Sequence, residues 1–405
     1  MSSILKTYNR KKISFNRGKG SFLYDTKGKK YLDFVQGIAV NCLGHSHNHL
    51  IKSIYKQSKK LWHVSNAFII PEQERLAKRL TQKTFADYVA FQNSGAEATE
   101  AAIKFARRYF YSRGKPRKNR ILCINNSFHG RTLATIFASN SKKAIEGFGP
   151  KVDGFDHFNF GDHKGLEKAI TSRTAAIMVE TIMGEGGIKI IPDWCLKGLK
   201  KLCIKKGILL ILDEVQSGVG RTGKMWGYEN LEIEPDGFTL AKGLGGGHAI
   251  GALLVQKKAN IFTPGDHAST FGGNPFACRA AITVLEEIKR RKILKNVLER
   301  GNQLNEGFTK ISAKFPKIIS DIRGLGLIQG LVINDSYTDA KTITLKAFDK
   351  GLLLVPAGGN VVRFVPPLII SRNEINILLK KLDLIKYKYL ISTLPLLTAI
   401  YVVKK

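Results

Sequence analysis

Three short stretches bring together residue types that could do chemistry. In GILLILDEVQSGVGRTGKM (207–225) an apolar run ends in Asp213 and Glu214, and a glycine-rich run follows. In GFTLAKGLGGG (237–247) Lys242 stands between another apolar run and residues with almost no side chain. In the third stretch, Ser94-Gly95-Ala96-Glu97 follows YVAFQN and opens a helical pattern. A lysine held in such a low-dielectric position has its charged form disfavoured, and its amine becomes a nucleophile. Small residues at a helix start expose backbone N–H groups where the helix dipole favours an anion, so a phosphate suits them. The same four residues read equally well as an ordinary N-cap, with Glu97 closing a capping box on Ser94.

The glycines raise a competing reading. Gly218, Gly220 and Gly223 match the dinucleotide pattern G-x-G-x-x-G, and Gly218 to Lys224 match the start of a P-loop. A P-loop needs Ser or Thr after its lysine to hold magnesium, and a helix to receive the phosphates. Met225 occupies that place, and WGYENLEIEPDG follows, with little helical length. A dinucleotide loop would leave its strand directly at the first glycine, whereas Asp213 to Gln216 intervene here. The glycines therefore read as a turn, and the acid before them as the site. A phosphate cradle, a buried acid and an amine able to capture an aldehyde together describe a site for pyridoxal 5'-phosphate, whose ring acts as an electron sink while its nitrogen stays protonated.

The elements that must position these groups are legible as apolar runs alternating with amphipathic stretches. YVAFQN (88–93), ILCIN (121–125), AAIMVE (175–180), GILLILD (207–213), GFTLA (237–241) and IGALLVQ (250–256) read as strands, apolar throughout as in sheets buried on both faces. Ala98, Ala102, Phe105 and Tyr109 fall on one helical face, and another helix is expected from Asp193 to about Lys206. The pattern predicts an α/β domain with a mainly parallel sheet, whose ligands sit at the carboxyl ends of the strands. A helix is expected from about Pro275 to Arg300. A small α+β lobe is expected beyond it, sharing strands with an N-terminal hairpin that turns at Lys27-Gly28.

Bulk properties set limits on function. A chain of 405 residues with 43% hydrophobic and 24% charged residues is globular in composition and long enough for two domains. Five dispersed cysteines, with no CxxC pair, suggest neither a disulfide framework nor a zinc ribbon. The net charge of +33 is spread along the chain without interleaved aromatics, which reads as a lysine-rich surface that attracts anions and not as a nucleic-acid platform. A non-catalytic basic protein that binds nucleic acid is nevertheless the alternative from a different class, and a nucleotide-dependent enzyme the third. His45, His47 and His49 alternate but have no acid or cysteine at ligand spacing, so no metal is expected. Cys278 reads as a small buried residue, and Arg221 and Lys224 as surface. The N-terminus lacks a signal-peptide core. YLISTLPLLTAIYVV (389–403) is short for a membrane span and is broken by Pro395, so a buried or dimer-docked tail is expected.

From about Tyr24 to Leu382 the ordered stretches GIAVNCLGHSH, LWHVSNAFIIPEQE, NSGAEATEAAIKFAR, SFHGRT, ETIMGEGG, LILDEVQSGVGRTG, LAKGLGGG, STFGGNP and VVRFVPPL resemble class III, fold-type I aminotransferases. Within that family they are most similar to the members that act on N2-acetylornithine. The resemblance implies a large domain with a mainly parallel seven-stranded sheet flanked by helices, residues 46–290. It also implies a small α+β domain, 291–405, joined by an N-terminal segment, 1–45. Lys242 would be the lysine that links to pyridoxal phosphate and moves the substrate proton, and Asp213 the partner of its ring nitrogen. Ser94, Gly95 and Ala96 would hold the phosphate, and Val215 and Phe128 would sandwich the ring. Gln216 would reach its phenolic oxygen, Glu214 would belong to the cofactor-binding turn, and Thr270 would reach the phosphate from the neighbouring subunit of a homodimer. Arg131 and Ser269 would touch the substrate, and Arg363 would take the 2-oxoglutarate α-carboxylate, with Glu185 as its switching partner. The implied reaction moves the δ-amino group of N2-acetylornithine to 2-oxoglutarate, giving glutamate, in the cytoplasm. Ornithine, succinylornithine, 4-aminobutyrate and succinyl-diaminopimelate are the competing donors.

Overall fold

The strands that carry Asp213 and Lys242 lie side by side at the middle of one sheet. In the computed structural model, which describes residues 3–230, 232–259 and 261–392, seven strands form this sheet. Their order is Tyr88–Gln92, Gly251–Val255, Gly237–Leu240, Leu209–Asp213, Thr174–Glu180, Arg120–Ile124 and Phe155–Phe158. Only Gly251–Val255 runs antiparallel to its neighbours; the other pairings are parallel. Thr174–Glu180 and Leu209–Asp213 are buried at every residue, the burial expected of strands covered on both faces. Phe155–Phe158 escapes the sequence pattern because it is a four-residue edge strand, FDHF, with only its first residue buried.

Helix Gly95–Tyr111 buries Ala98, Ala102 and Phe105 as the spacing predicts, with Tyr109 half-buried against the same core. Helix Asp193–Lys206 ends at Gly207, which takes a left-handed φ of 59°. The expected helix from Pro275 to Arg300 is instead two: Pro275–Arg290 and Ile293–Lys314. Lys292 lies between them at φ 50°, a left-handed conformation that interrupts the helical bonding. Apolar periodicity continues across such a break, which is why the sequence pattern does not reveal it.

The hairpin of Phe22–Asp25 and Lys30–Asp33 places Lys27-Gly28 at its turn, and its second strand pairs in parallel with Leu352–Leu353 near the C-terminus. A separate four-stranded antiparallel sheet contains Ile319–Leu325, Ile328–Ile333, Val361–Phe364 and Val355–Ala357. Cys278 is buried. Arg221 corrects the surface reading: it is buried, and its guanidinium donates to the carbonyls of Leu327 at 3.1 Å and Pro366 at 2.5 Å. Lys224 is exposed. The tail reading for 389–403 falls on residues whose side chains lie outside the described ones. Among the described residues no helix is long and apolar enough to cross a membrane.

The histidine triplet also has partners that sequence spacing could not show. His45 contacts Asp33 at 2.8 Å, and Glu287, 238 residues from His49, takes His49 at 2.7 Å and His47 at 3.4 Å. Among the described residues no group of three His, Cys, Asp or Glu is placed to hold a metal.

Candidate active site

Parallel strands release their side chains at one sheet edge, and three chain segments meet there around a cavity of about 440 Å³. The first is the start of helix Gly95–Tyr111. Ser94 caps it by accepting from the Glu97 N–H at 3.2 Å, and the Glu97 carboxylate reaches one residue further back than a capping box would, accepting from the Asn93 N–H at 2.6 Å. The N–H groups of Gly95 and Ala96, in the first helical turn, have no intrahelical acceptor and line the cavity. Gly95 has no room for a side chain, since an added Cβ would lie 2.8 Å from Val215 Cγ1.

The second segment is the end of Leu209–Asp213. Asp213 is buried, and its Oδ1 accepts from the Val215 N–H at 3.0 Å and the Thr239 hydroxyl at 3.3 Å. Its Oδ2 lies 2.8 Å from His129 Nδ1. His129 lies within SFHGRT, where nothing in the spacing marks it as a site residue. Burial is the largest single influence and opposes its charged form, but the hydrogen bonds and charges of Asp213 and Cys123 together exceed it and push the imidazole up to about 10. The pair is thus an imidazolium behind a carboxylate, and the carboxylate keeps lone pairs for a further donor.

The third segment is Lys242, which opens a short 3-10 turn, Lys242–Gly245, after strand Gly237–Leu240. Its φ of 42° is left-handed, a strained conformation of the kind that collects at functional sites. Burial, and then the nearby charge of Arg363, lower its pKa below that of an ordinary lysine. Phe128, Arg131 and Val215 complete the cavity, with the Arg131 guanidinium 5.5 Å from the Phe128 ring centre.

Glu180, a second residue missed from sequence, is the in-register neighbour of Asp213 on the adjacent strand. Its carboxylate accepts from the Phe128 N–H at 2.8 Å and the Gly184 N–H at 3.1 Å. Burial pushes it up to about 7, against the lowering effect of His129. Arg363 is wholly buried; its Nη2 lies 2.7 Å from Glu185 and its Nη1 donates to Gln216 at 3.2 Å. Its Nε has no hydrogen-bond partner.

Not every expected residue converges. Glu214 faces away from the cavity: its carboxylate takes the N–H groups of Gly227 and Tyr228, and burial pushes it up to about 8. Gln216 contacts Arg363 and does not line the Lys242 cavity. Ser269 and Thr270 line a different cavity, of about 650 Å³, with Asn66 and Phe91. Ser269 accepts from Asn93 Nδ2 at 3.1 Å, and Thr270 is exposed. Gly220 and Gly223 have φ of 86° and 96°, so the glycine run is a turn.

Free helix-start N–H groups, a buried acid, a lysine of lowered pKa and apolar Val215 and Phe128 around 440 Å³ fit pyridoxal phosphate. The family model described as aminotransferase class-III matches residues 5–385. The chain belongs to the class III aminotransferases. It is a pyridoxal-phosphate-dependent transaminase of fold-type I. An acetylornithine aminotransferase of Prochlorococcus marinus subsp. pastoris is 69% identical over 389 residues, 95% of this chain and 94% of that protein. One from Parasynechococcus marenigrum is 49% identical, over 94% and 92% of the two chains. Among solved structures, the ornithine aminotransferase of Toxoplasma gondii superposes with a TM-score of 0.91 at 30% identity, covering 96% of this class III chain and 93% of that one. The N-acetylornithine aminotransferase of Stenotrophomonas maltophilia gives 0.83 at 35%, covering 95% and 98%.

Proposed function

We propose that this protein transfers the δ-amino group of N2-acetylornithine to 2-oxoglutarate, giving N-acetylglutamate 5-semialdehyde and glutamate. The observation that carries the reading is the convergence of Lys242, the Asp213–His129 pair and the open helix start on one cavity, in a chain 69% identical to an acetylornithine aminotransferase. Pyridoxal phosphate, when bound, supplies the electron sink that makes a proton on the substrate carbon removable. Gly95 and Ala96 hold the phosphate with backbone N–H groups, and Ser94 keeps the helix start in place. Asp213, oriented by His129, would partner the ring nitrogen, and Val215 and Phe128 would flank the ring.

Lys242 would hold the cofactor covalently, and its Nζ is the group placed to move a proton at the substrate carbon that bears nitrogen. Burial lowers the pKa of that amine and so favours its neutral form. Arg131, which lines the Lys242 cavity, grips a donor carboxylate, and Ser269, beside Thr270 in the other cavity, would meet a donor from the neighbouring subunit. Arg363 serves the α-carboxylate of 2-oxoglutarate; Glu185 neutralises it when the donor occupies the site and moves aside for the acceptor. A guanidinium suits this exchange because it binds either carboxylate in a fork. Gln216 steadies Arg363 by accepting from its Nη1.

The same reading includes a cytoplasmic homodimer in which Thr270 reaches the partner's cofactor phosphate. Trp62, Phe68 and Phe271 are each about 60% exposed or more, and Thr270 is exposed beside Phe271, as a face awaiting a second copy would be. The deciding measurement is kcat/KM for N2-acetylornithine against ornithine, succinylornithine, 4-aminobutyrate and succinyl-diaminopimelate. We expect N2-acetylornithine to lead; a preference for 4-aminobutyrate would sink the substrate assignment while leaving the transaminase intact.

A further inference from the structure

A larger cavity, about 780 Å³, lies away from Lys242. It is enclosed by helix Pro71–Thr81 with Gln82 and Lys83, by Met225 and Trp226, and by the two helices that meet at Lys292. Its floor is apolar. Met225, Leu285 and Leu294 are half-buried against the main core, with Trp226 and Ile288 buried beneath. The indole N–H of Trp226 donates to the Lys83 carbonyl at 3.0 Å, which ties one wall to the floor.

Its rim is cationic. Seven of the fourteen lining residues are Lys or Arg. Glu229 is the one acid in the lining, and its carboxylate is engaged by the Trp226 N–H at 3.0 Å. Arg79 pairs with Glu286 at 2.8 Å, while Arg75 and Lys295 have looser partners at 3.9 and 3.8 Å. Lys78, Lys83, Lys289 and Lys292 pair with no carboxylate among the described residues.

A concave site with one sign of charge and a low-dielectric floor concentrates the field at its mouth. Its volume falls in the range of about 300–1,000 Å³ that suits one small molecule. We propose that this cavity is a second ligand site, for a small polyanion with an apolar body, of the class of a nucleoside triphosphate. The unpaired lysines meet the phosphates, and Met225, Leu285 and Leu294 meet the flat ring. Neither half suffices alone: free phosphate would leave the floor wet, and a bare nucleoside would leave the lysines unpaired.

The test is calorimetric titration of the cofactor-saturated enzyme, at about 0.15 M salt, where charges more than about 8 Å apart in solvent are screened. ATP, tripolyphosphate and adenosine are the probes. Lys78→Glu with Lys289→Glu reverses the cavity, and Lys164→Glu with Lys168→Glu makes the same charge change on the exposed face of helix His163–Ala169. Neither pair lines the Lys242 cavity, so both variants should keep the wild-type cofactor spectrum and turnover. ATP should bind more tightly than either fragment, and the cavity reversal should weaken it about tenfold or more while the control changes it less than about twofold. Equal weakening by both reversals would show surface attraction only. No effect of the cavity reversal, or tripolyphosphate binding as tightly as ATP, would equally overturn the site.

Discussion

Asp213 and His129 form a unit whose charge state is the most consequential at the site. The imidazole is held charged well above its ordinary value of 6.5, up to about 10. A folded-state pKa above the unfolded one means that the pairing stabilises fully below about 6.5 and loses that contribution as pH rises through about 10. His129→Asn should therefore destabilise the protein on the order of 3 kcal/mol near neutrality, with the gap to wild type closing towards pH 10 in urea unfolding. A constant gap across that window would place the loss in packing instead. Lys242→Ala should still fold and hold pyridoxal phosphate, but only noncovalently. After borohydride treatment the wild-type label should map to Lys242 and the variant should carry none, with turnover lost by roughly a thousandfold or more. Of these residues Lys242 and Asp213 were legible in the sequence because each closes an apolar strand. His129 and Glu180 were not. Nothing about their spacing states that an imidazole 84 residues before Asp213 will lie 2.8 Å from it.

At the scale of elements, helix Gly95–Tyr111 does two jobs with one terminus. Ser94 supplies the cap, and the N–H groups beyond it supply the phosphate cradle, so the two readings of Ser94-Gly95-Ala96-Glu97 are compatible. Ser94→Ala should cost about 1 kcal/mol in the cofactor-free protein through the lost cap and should weaken cofactor binding as well. If affinity falls while cofactor-free stability is unchanged, the cap reading is wrong. Glu287 links elements in a comparable way, joining the start of helix Asn48–Ser58, with His47 at its N-cap and His49 within it, to helix Pro275–Arg290. The hydrogen bond from Arg290 is the main cause that lowers it to about 2. A depressed carboxylate stabilises above its ordinary value of 4.5 and loses that contribution as pH falls towards 2. Glu287→Gln should accordingly flatten the acid limb of the stability curve between those values. The element types were readable from apolar runs; the break at Lys292 and the edge strand Phe155–Phe158 were not, because neither alters the hydrophobic pattern.

The whole molecule presents an excess of positive charge and an exposed apolar face around Trp62 and Phe271. The two oppose each other in self-association: like charges repel, while burying that face is favourable. Sedimentation should show a dimer that tightens as salt is raised, and Phe271→Asp should shift it towards monomer with loss of activity. A monomer of full activity at working concentration would remove Thr270 from the neighbouring site. The sequence by itself determined the strand-end chemistry, the α/β class and the family, since these depend on local apolar runs and on the residue that ends each one. Only the tertiary structure decided which distant groups share a dielectric: His129 behind Asp213, Glu180 beside Asp213 on the next strand, and Glu214 turned away from the site. Such contacts depend on the register of neighbouring strands and on what burial does to a charge, and neither is encoded in spacing along the chain.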